Sequence, residues 1–419
     1  MKTSWIICFL CILSVSTPTA LSSCGCTLDT LSPADTTPWL TTADIATMQQ
    51  HAAENGWTFT VGDTPATQYP FCQLCGLVEP ANWWVNASFD PCLPTGALPE
   101  KWDWRDYDGV SSVKNQDGCG SCWAFGTIGP LESAILIHDH VEVDLSEQWL
   151  VSCNQNGWGC NGGWYAHDYH QWRTDKFNGS GAVLEREFRY DAADDPCDGP
   201  YHHPYHIDSW KYVGMGQGVP KPDAIKQAIY TYGPVSSGVA VNEAFGGYTG
   251  GVFNNDTPVG INHCVTLVGW DDTLGEHGVW ILKNSWGTGW GEDGYMYIEY
   301  GCCQVGYAAC YVVYPAKTGI EVHGGPLGLR VGFHNQGTTN LTSVKWTISI
   351  KGGAKNNINV TFSDTIDALL PSQVEVQWIP TFGFGKVQVR VFTSAKNAGK
   401  QSVTVNGFLL GLFLIVNAP

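Results

Sequence analysis

Residues Gln116–Phe125 read Gln-Asp-Gly-Cys-Gly-Ser-Cys-Trp-Ala-Phe, and the part assigned to the second cysteine decides the fold. A cysteine attacks as a thiolate, so it needs a base, a group that orients the base, and donors for the oxyanion that follows attack. Ser121 to Ile137 carries a helical pattern with Cys122 at its start, where unpaired amides and the positive end of the helix dipole favour negative charge and so a low pKa. Two later segments, Ile261-Asn-His-Cys-Val-Thr and Lys283-Asn-Ser-Trp-Gly-Thr-Gly-Trp-Gly, complete the set: Cys122, His263, Asn284 and Gln116 are the residue types a thiol acyl-transfer site requires. Gly129-Pro130 interrupts the helical pattern, and an interior proline costs about 3 kcal/mol or kinks a helix. The sequence gives no functional reason for it.

Cys-Gly-Ser-Cys-Trp, with a His and an Asn more than a hundred residues downstream, resembles the papain family of cysteine peptidases. Leu98-Pro-Glu-Lys-Trp-Asp-Trp-Arg105, Leu145–Cys153 and Gly159-Cys-Asn-Gly-Gly163 extend the resemblance, which covers roughly Leu98 to Pro315. It implies an α+β fold of two lobes, one helical and one β-barrel-like. It also implies roles: Cys122 as nucleophile, His263 as the base that later protonates the departing amine, and Asn284 as the group that holds the imidazole. Gln116 and the backbone amide of Cys122 would be the oxyanion donors, Trp286 would shield the His263–Asn284 bond, and Gly163 would pair with an extended substrate. The same resemblance implies disulfides Cys119–Cys160 and Cys153–Cys197. No cofactor and no metal is called for.

Some residues depart from the family pattern. Cys264 follows His263 where a small Ala is usual, Trp164 is bulky at the cleft edge, and Cys302, Cys303 and Cys310 lack the usual partner spacing. Cys264 is open to two readings, a bridge half or a free thiol at the second subsite. Cys302 to Tyr314 holds no Asp or Glu, so the pocket two residues before the cleaved bond should prefer apolar or aromatic side chains over Arg. His202-His203 invites comparison with the occluding loop of dipeptide-releasing, cathepsin-B-type enzymes, although Cys197 to Tyr212 is short for such an insertion.

The 419 residues exceed one typical domain. Residues 1–20, with Lys2 and an apolar run from Trp5 to Val15, have the form of a secretory signal peptide, and that run is too short for a membrane span. Sixteen cysteines and sequons at Asn86, Asn178, Asn255, Asn340 and Asn359 fit the secretory pathway and an extracellular or lysosome-like destination. Residues 21–97 read as a propeptide with a helical pattern from Ala43 to Ala53, acting as the enzyme's own inhibitor. Asn55-Gly-Trp57-Thr-Phe59 and Leu74-Cys75-Gly76 resemble the short propeptides of the cathepsin-B-like subgroup. Cys72-x-x-Cys75 suggests disulfides ahead of zinc or a redox centre, given the secretory context.

Residues 98–316 then form the peptidase unit, and 317–419 a linker, placed at Thr318 to Gly328, and an all-β domain. Val344, Trp346, Ile348 and Ile350 alternate with polar residues, as do Val387, Val389 and Val391, which predicts an antiparallel, immunoglobulin-like sandwich. The terminal run Phe408 to Val416 reads as a buried last strand. A net charge of −18 disfavours nucleic acid or an anionic membrane as partner of the whole chain. The expected partners are protein or peptide substrates, and the sequence names none for the sandwich. The leading expectation is a secreted cysteine endopeptidase made as a zymogen. Dipeptide release, transpeptidation and a catalytically silent adhesion protein are the alternatives.

Overall fold

Cys122–Asp139 forms an 18-residue helix in which every residue from Cys122 to Ile135 is buried, so it has no polar face and must be enclosed on all sides. It continues through Pro130. The proline removes the amide that would have bonded Gly126 O, and Ser236 Oγ donates to that carbonyl instead at 2.6 Å. Gly126 and Gly129 allow the neighbouring strand to approach: a Cβ at Gly126 would lie 2.1 Å from Cys264 Sγ, and one at Gly129 2.7 Å from Thr266 Oγ1. The Gly-Pro pair is therefore a packing device, and it brings the strand that begins at His263 against the helix that begins at Cys122.

These features come from a computed structural model that describes residues 38–416, apart from 93, 95, 257, 258, 316, 317, 337–339, 371, 372 and 397. The apolar N-terminal run, Cys24 and Cys26 lie outside the described residues. A long sheet runs in the order Phe59–Val61, Tyr248–Phe253, Tyr295–Glu299, Val279–Lys283, His263–Asp271, Val235–Val239, Tyr307–Val313, Ser209–Val213 and Phe89–Asp90, with Lys101–Asp103 paired to His263–Asp271. The helical lobe packs around the Cys122 helix, with Trp149, Leu150, Tyr169 and Val183 in its core. Where the lobes meet, Lys114 Nζ is shared by Glu132 and Asp144 at 2.8 Å and Glu147 at 3.0 Å.

The amino-terminal segment caps both ends of that sheet, with Phe59–Val61 at one edge and Phe89–Asp90 at the other. Its helix Thr42–Asn55 starts on a capping box between Thr41 and Asp44 and ends on Gly56 in the left-handed region. Ile45 and Met48 of this helix, with Phe59 and Val61, enter the same core as Phe245, Tyr248 and Trp290 of the second lobe. Covering both edges removes the unpaired backbone rows that would otherwise seek another strand.

Beyond Tyr314 the chain forms two antiparallel sheets. One holds Thr318–Gly325, Gly328–Asn335 and Val374–Pro380. The other holds Ile358–Leu369, Leu341–Gly352, Gly383–Ala395, Ala398–Gly411 and Phe413–Val416 in that order. Leu329, Val331 and Phe333 face Val344, Trp346, Ile348, Ile350, Val387, Val389 and Val391 across the core, so the alternation read from sequence fills a sandwich. Two expectations need correction. Thr318 to Gly328 is no linker but the first strand and its turn, because Ile320 and Val322 pack on the core and Gly324 approaches Leu414 O too closely for any side chain. Phe408 to Val416 is no single buried strand either; it is a hairpin at Gly411-Leu412 in which Leu409 and Leu414 are buried while Phe408, Leu410, Phe413 and Ile415 are exposed.

Candidate active site

The helix start supplies Cys122, and the first residue of the strand His263–Asp271 supplies the imidazole. His263 Nε2 and Asn284 Oδ1 are 2.8 Å apart. Since an amide oxygen only accepts, Nε2 carries the proton and Nδ1, buried and without a hydrogen-bond partner, is the bare nitrogen. Trp286 lies over this pair with its ring 4.8 Å from that of His263 and almost no solvent contact.

Gln116 is held by its surroundings. Ser285 Oγ donates to Gln116 Oε1 at 2.7 Å and Tyr190 Oη donates to Gln116 O at 2.7 Å, which turns Nε2 toward the carbonyls of Cys119 at 2.8 Å and Leu74 at 3.0 Å. Ser285 and Tyr190 were not singled out in the sequence. Ser285 follows Asn284 directly and was within reach of inspection, whereas Tyr190 is 74 residues from Gln116 and had no local signal.

Leu74 to Val78 cross the site. Gly76 N–H points at Cys122 Sγ at 3.3 Å, Leu77 N donates to Asn262 O, and Gly76 O and Val78 N bond the two backbone groups of Gly163 at 2.9 Å each. The Leu77–Gly163 bridge is parallel. Gly76 has to be glycine here, because a Cβ would lie 1.8 Å from Gly120 O. Leu77 is buried and reaches toward Gly238, where an added Cβ would meet Ile261 Cγ2 at 3.2 Å and Leu77 Cδ2 at 3.5 Å. Trp164 is covered as well: it bonds Tyr212 Oη through Nε1 at 2.9 Å and packs beside Trp83.

This covering reverses the expected ionisation. Desolvation pushes the Cys122 thiol up to about 11, against the pull of backbone donors from Gly76, Cys264 and Trp123, and draws His263 down to about 4 despite its bond to Asn284. The low thiol pKa expected at a helix start is therefore absent in the covered state, because burial of the charge outweighs the dipole. Both groups are neutral near pH 7.

Cys119–Cys160 and Cys153–Cys197 are disulfide-bonded. Cys264 is a buried free thiol packed on Gly126; Cys302 and Cys303 have their sulfurs 3.8 Å apart without a bond, and Cys310 Sγ is 3.4 Å from His167 Nε2. His203 is occupied within the helical lobe, its Nδ1 2.8 Å from Gly181 O, its Nε2 3.6 Å from Asp175 and its ring beside Trp149.

Residues 98–314 match the model of a family described as papain family cysteine protease. Fruit bromelain of Ananas comosus is 31% identical over 255 residues, 59% of this chain and 69% of that protein; pro-cathepsin H of Mus musculus is 37% identical over 228 residues, 52% of this chain and 65% of that protein. Among solved structures, digestive procathepsin L2 from Tenebrio molitor larval midgut superposes with a TM-score of 0.57 at 29% identity, covering 64% of this chain and 89% of its own. The proform of the ragweed pollen cysteine protease Amb a 11 gives 0.53 at 25% identity, covering 65% and 87%. The family match ends before the sandwich.

Proposed function

This chain belongs to the papain family of cysteine proteases, and we propose that it is an endopeptidase made as a zymogen in the secretory pathway, with Cys122, His263, Asn284 and Gln116 as its catalytic residues. The observation that carries the reading is the crossing of Leu74–Val78, in which a peptide carbonyl already sits at Gln116 Nε2 and a peptide backbone already pairs with Gly163. A cleft that holds one extended chain in this way fits others.

With the segment removed, His263 Nδ1 takes the Cys122 proton. The thiolate attacks the substrate carbonyl carbon, a C–S bond forms, and the oxyanion is held by Gln116 Nε2 and the Cys122 amide. His263 returns its proton to the amine nitrogen as the C–N bond breaks. Water, deprotonated by the same imidazole, then cleaves the thioester and restores the thiol. Asn284 orients the ring throughout, and Ser285 keeps the Gln116 amide facing the oxyanion.

Residues 21–97 are the propeptide in this reading, 98–316 the peptidase and 317–419 the added sandwich. The side of the cleft at Gly163 takes the residues before the scissile bond, yet it is filled here by residues that follow Leu74, so the propeptide runs opposite to a substrate and offers no correctly placed leaving amine. Among the described residues, one long helix precedes the crossing, which supports the short, cathepsin-B-like kind of propeptide. Leu77 at Gly238 supports an apolar preference two residues before the cut. The engagement of His203 inside the helical lobe favours endopeptidase over dipeptide release. Exposure of Asn86, Asn178, Asn340 and Asn359 suits glycosylation on an extracellular or lysosome-like route.

The test is acid activation of the full chain followed by a thiol-directed epoxide inhibitor, with mass spectrometry of the adduct and the new N-terminus. An adduct on Cys122 and a terminus near Leu98 are expected. An unlabelled Cys122 in processed protein, or hydrolysis that survives labelling, overturns the assignment.

A further inference from the structure

The sandwich exposes most of its apolar side chains at one end, with Leu370 and Val374 the exposed ones at the other. Leu327 in the turn after Thr318–Gly325, Phe382 in the connection from Val374–Pro380, Phe384 at the start of Gly383–Ala395, and Leu410, Leu412 and Phe413 around the final hairpin all stand open to solvent, Phe382 at 68% and Leu327 at 64%. Register brings them together: Phe384 pairs with Leu410 and Leu410 with Phe413, while Gly328 pairs with Pro380, two residues before Phe382. One step up the same outward face, Lys386 pairs with Phe408 and Phe408 with Ile415. Above that step the face turns polar, with Gln388, Arg390, Asn406 and Thr404.

Charge is distributed as sharply. The four segments that build this end, 324–330, 350–358, 378–386 and 406–414, contain Arg330, Lys351, Lys355 and Lys386 and no Asp or Glu. All four basic side chains are exposed. Residues 317–419 hold nine Lys and Arg against four Asp and Glu, a net charge of +5 in a chain whose total is −18. The end also points away from the peptidase: the strand Thr318–Gly325 leaves the peptidase side at Thr318, beside the contact of His138 with Gln336 O, and its eight residues carry the chain about 26 Å to the apolar end.

We propose that this end of the sandwich docks on an anionic lipid bilayer, with the loop-tip Phe and Leu side chains in the outer acyl boundary and the lysines at the headgroups. The apolar layer extends from the tips through Phe408 and Ile415, about two residues or 7 Å along the strands, which matches the roughly 5–10 Å depth of interfacial insertion. Lys386, at the upper limit of that layer, is placed for its ammonium to reach the phosphates while its stem stays among apolar neighbours. Surface lysines of this kind attract phosphatidylserine within a Debye length. A protein partner or a sugar selected for tight hydrogen bonding would meet no carboxylate here, only neutral acceptors such as Asn356, Asn357 and Asn406. Docking is peripheral, since no described helix is long and apolar enough to cross a membrane. The proposal stands on the sandwich alone and does not depend on the peptidase reading.

The test uses the full chain and sedimentation with vesicles of phosphatidylcholine alone or with about 30 mol% phosphatidylserine. Binding to the phosphatidylserine vesicles is expected, weakened at least about threefold by about 0.5 M salt. F382S/F384S/L412S should bind at least about tenfold more weakly to both vesicles, and K355E/K386E should lose the preference for phosphatidylserine. Thermal melts of both variants should match the parent, since every substituted side chain is exposed. No partition into either vesicle, or undiminished binding by the triple variant, overturns the proposal. So does a dimer in light scattering that the triple variant abolishes while vesicles remain unbound, because the apolar end would then belong to a second copy.

Discussion

The peptidase body and the sandwich differ in sign and in where they keep their aromatic residues. Outside residues 317–419 the chain has twelve Lys and Arg against thirty-five Asp and Glu, while the sandwich carries a positive excess. The body buries most of its large aromatics: Trp123, Trp149, Trp270, Trp280, Trp286 and Trp290 are fully buried and Trp83 packs on Trp164, while Trp172 stands exposed. The sandwich exposes Trp378, Phe382, Phe384, Phe408 and Phe413. A net charge of −18 thus averages two surfaces that would choose opposite partners, and the exclusion of anionic membranes drawn from the whole chain applies to the body alone. Chemistry and attachment lie on separate cores, which makes the comparison open to attack one side at a time.

The largest expected effect is on the body. Cys122→Ser should reduce peptide hydrolysis by at least about 10⁴-fold, since a hydroxyl is not ionised by the same imidazole and helix start. Vesicle sedimentation and the sandwich's melting should be untouched. Turnover within tenfold of the parent would remove Cys122 from the mechanism; loss of vesicle binding would show that the two regions are not independent. Gln116→Ala comes next, with kcat expected to fall about 100- to 1,000-fold and KM to change little. A pure KM effect would mean that Gln116 positions the ground state and does not meet the oxyanion.

How much of this was legible follows from where the information sits. Cys122 and Gln116 are six residues apart, and His263 and Asn284 stand in short segments of their own, so local strings carried the site. The sandwich was legible because Val344 to Ile350 and Val387 to Val391 alternate with polar residues. Pro130 was not, because its compensation comes from Ser236 Oγ, 110 residues from the Gly126 carbonyl it bonds. The ionisation of Cys122 was misjudged for a similar reason: the helix start is local, but the cover that desolvates the thiol arrives from Leu74–Val78. The hairpin at Gly411-Leu412 was hidden by a continuous apolar run, in which burial on alternate sides leaves no mark on composition.

A third prediction concerns that cover. Gly76→Ala places a Cβ against Gly120 O, and relief of such a clash typically costs about 1–3 kcal/mol. The unprocessed chain should therefore inhibit itself about 5- to 150-fold less well, read as peptidase activity before any new N-terminus appears. pH acts on the same contact. His263 is held at about 4 when covered and returns toward its ordinary 6.5 when the segment lifts, so the open state binds more protons between those values. The cover should loosen as pH falls below about 6.5 and change no further below about 4. Amide exchange at Gly76 and Val78 in the full-length Cys122→Ser chain, corrected for intrinsic rates, measures it. Protection that is constant from pH 7.5 to 4 would separate acid activation from His263.

The smallest expected effect comes from removing the sandwich. A chain ending at Pro315 should turn over a small peptide within about twofold of the full chain, because two cores packed separately couple weakly. All four proposed catalytic residues, both disulfides and the strand Tyr307–Val313 that backs the cleft lie before that point. Contact across the junction includes His138 Nδ1 at 3.2 Å from Gln336 O, near the far end of the Cys122 helix and sixteen residues from Cys122. Loss there exposes Tyr314 and the helix C-terminus, so melting of the body should fall modestly while the rate holds. Association with phosphatidylserine vesicles should vanish in the same protein. If instead small-peptide turnover collapses in soluble, folded material, the Cys122 helix is braced by the sandwich, and the division between chemistry and attachment does not exist.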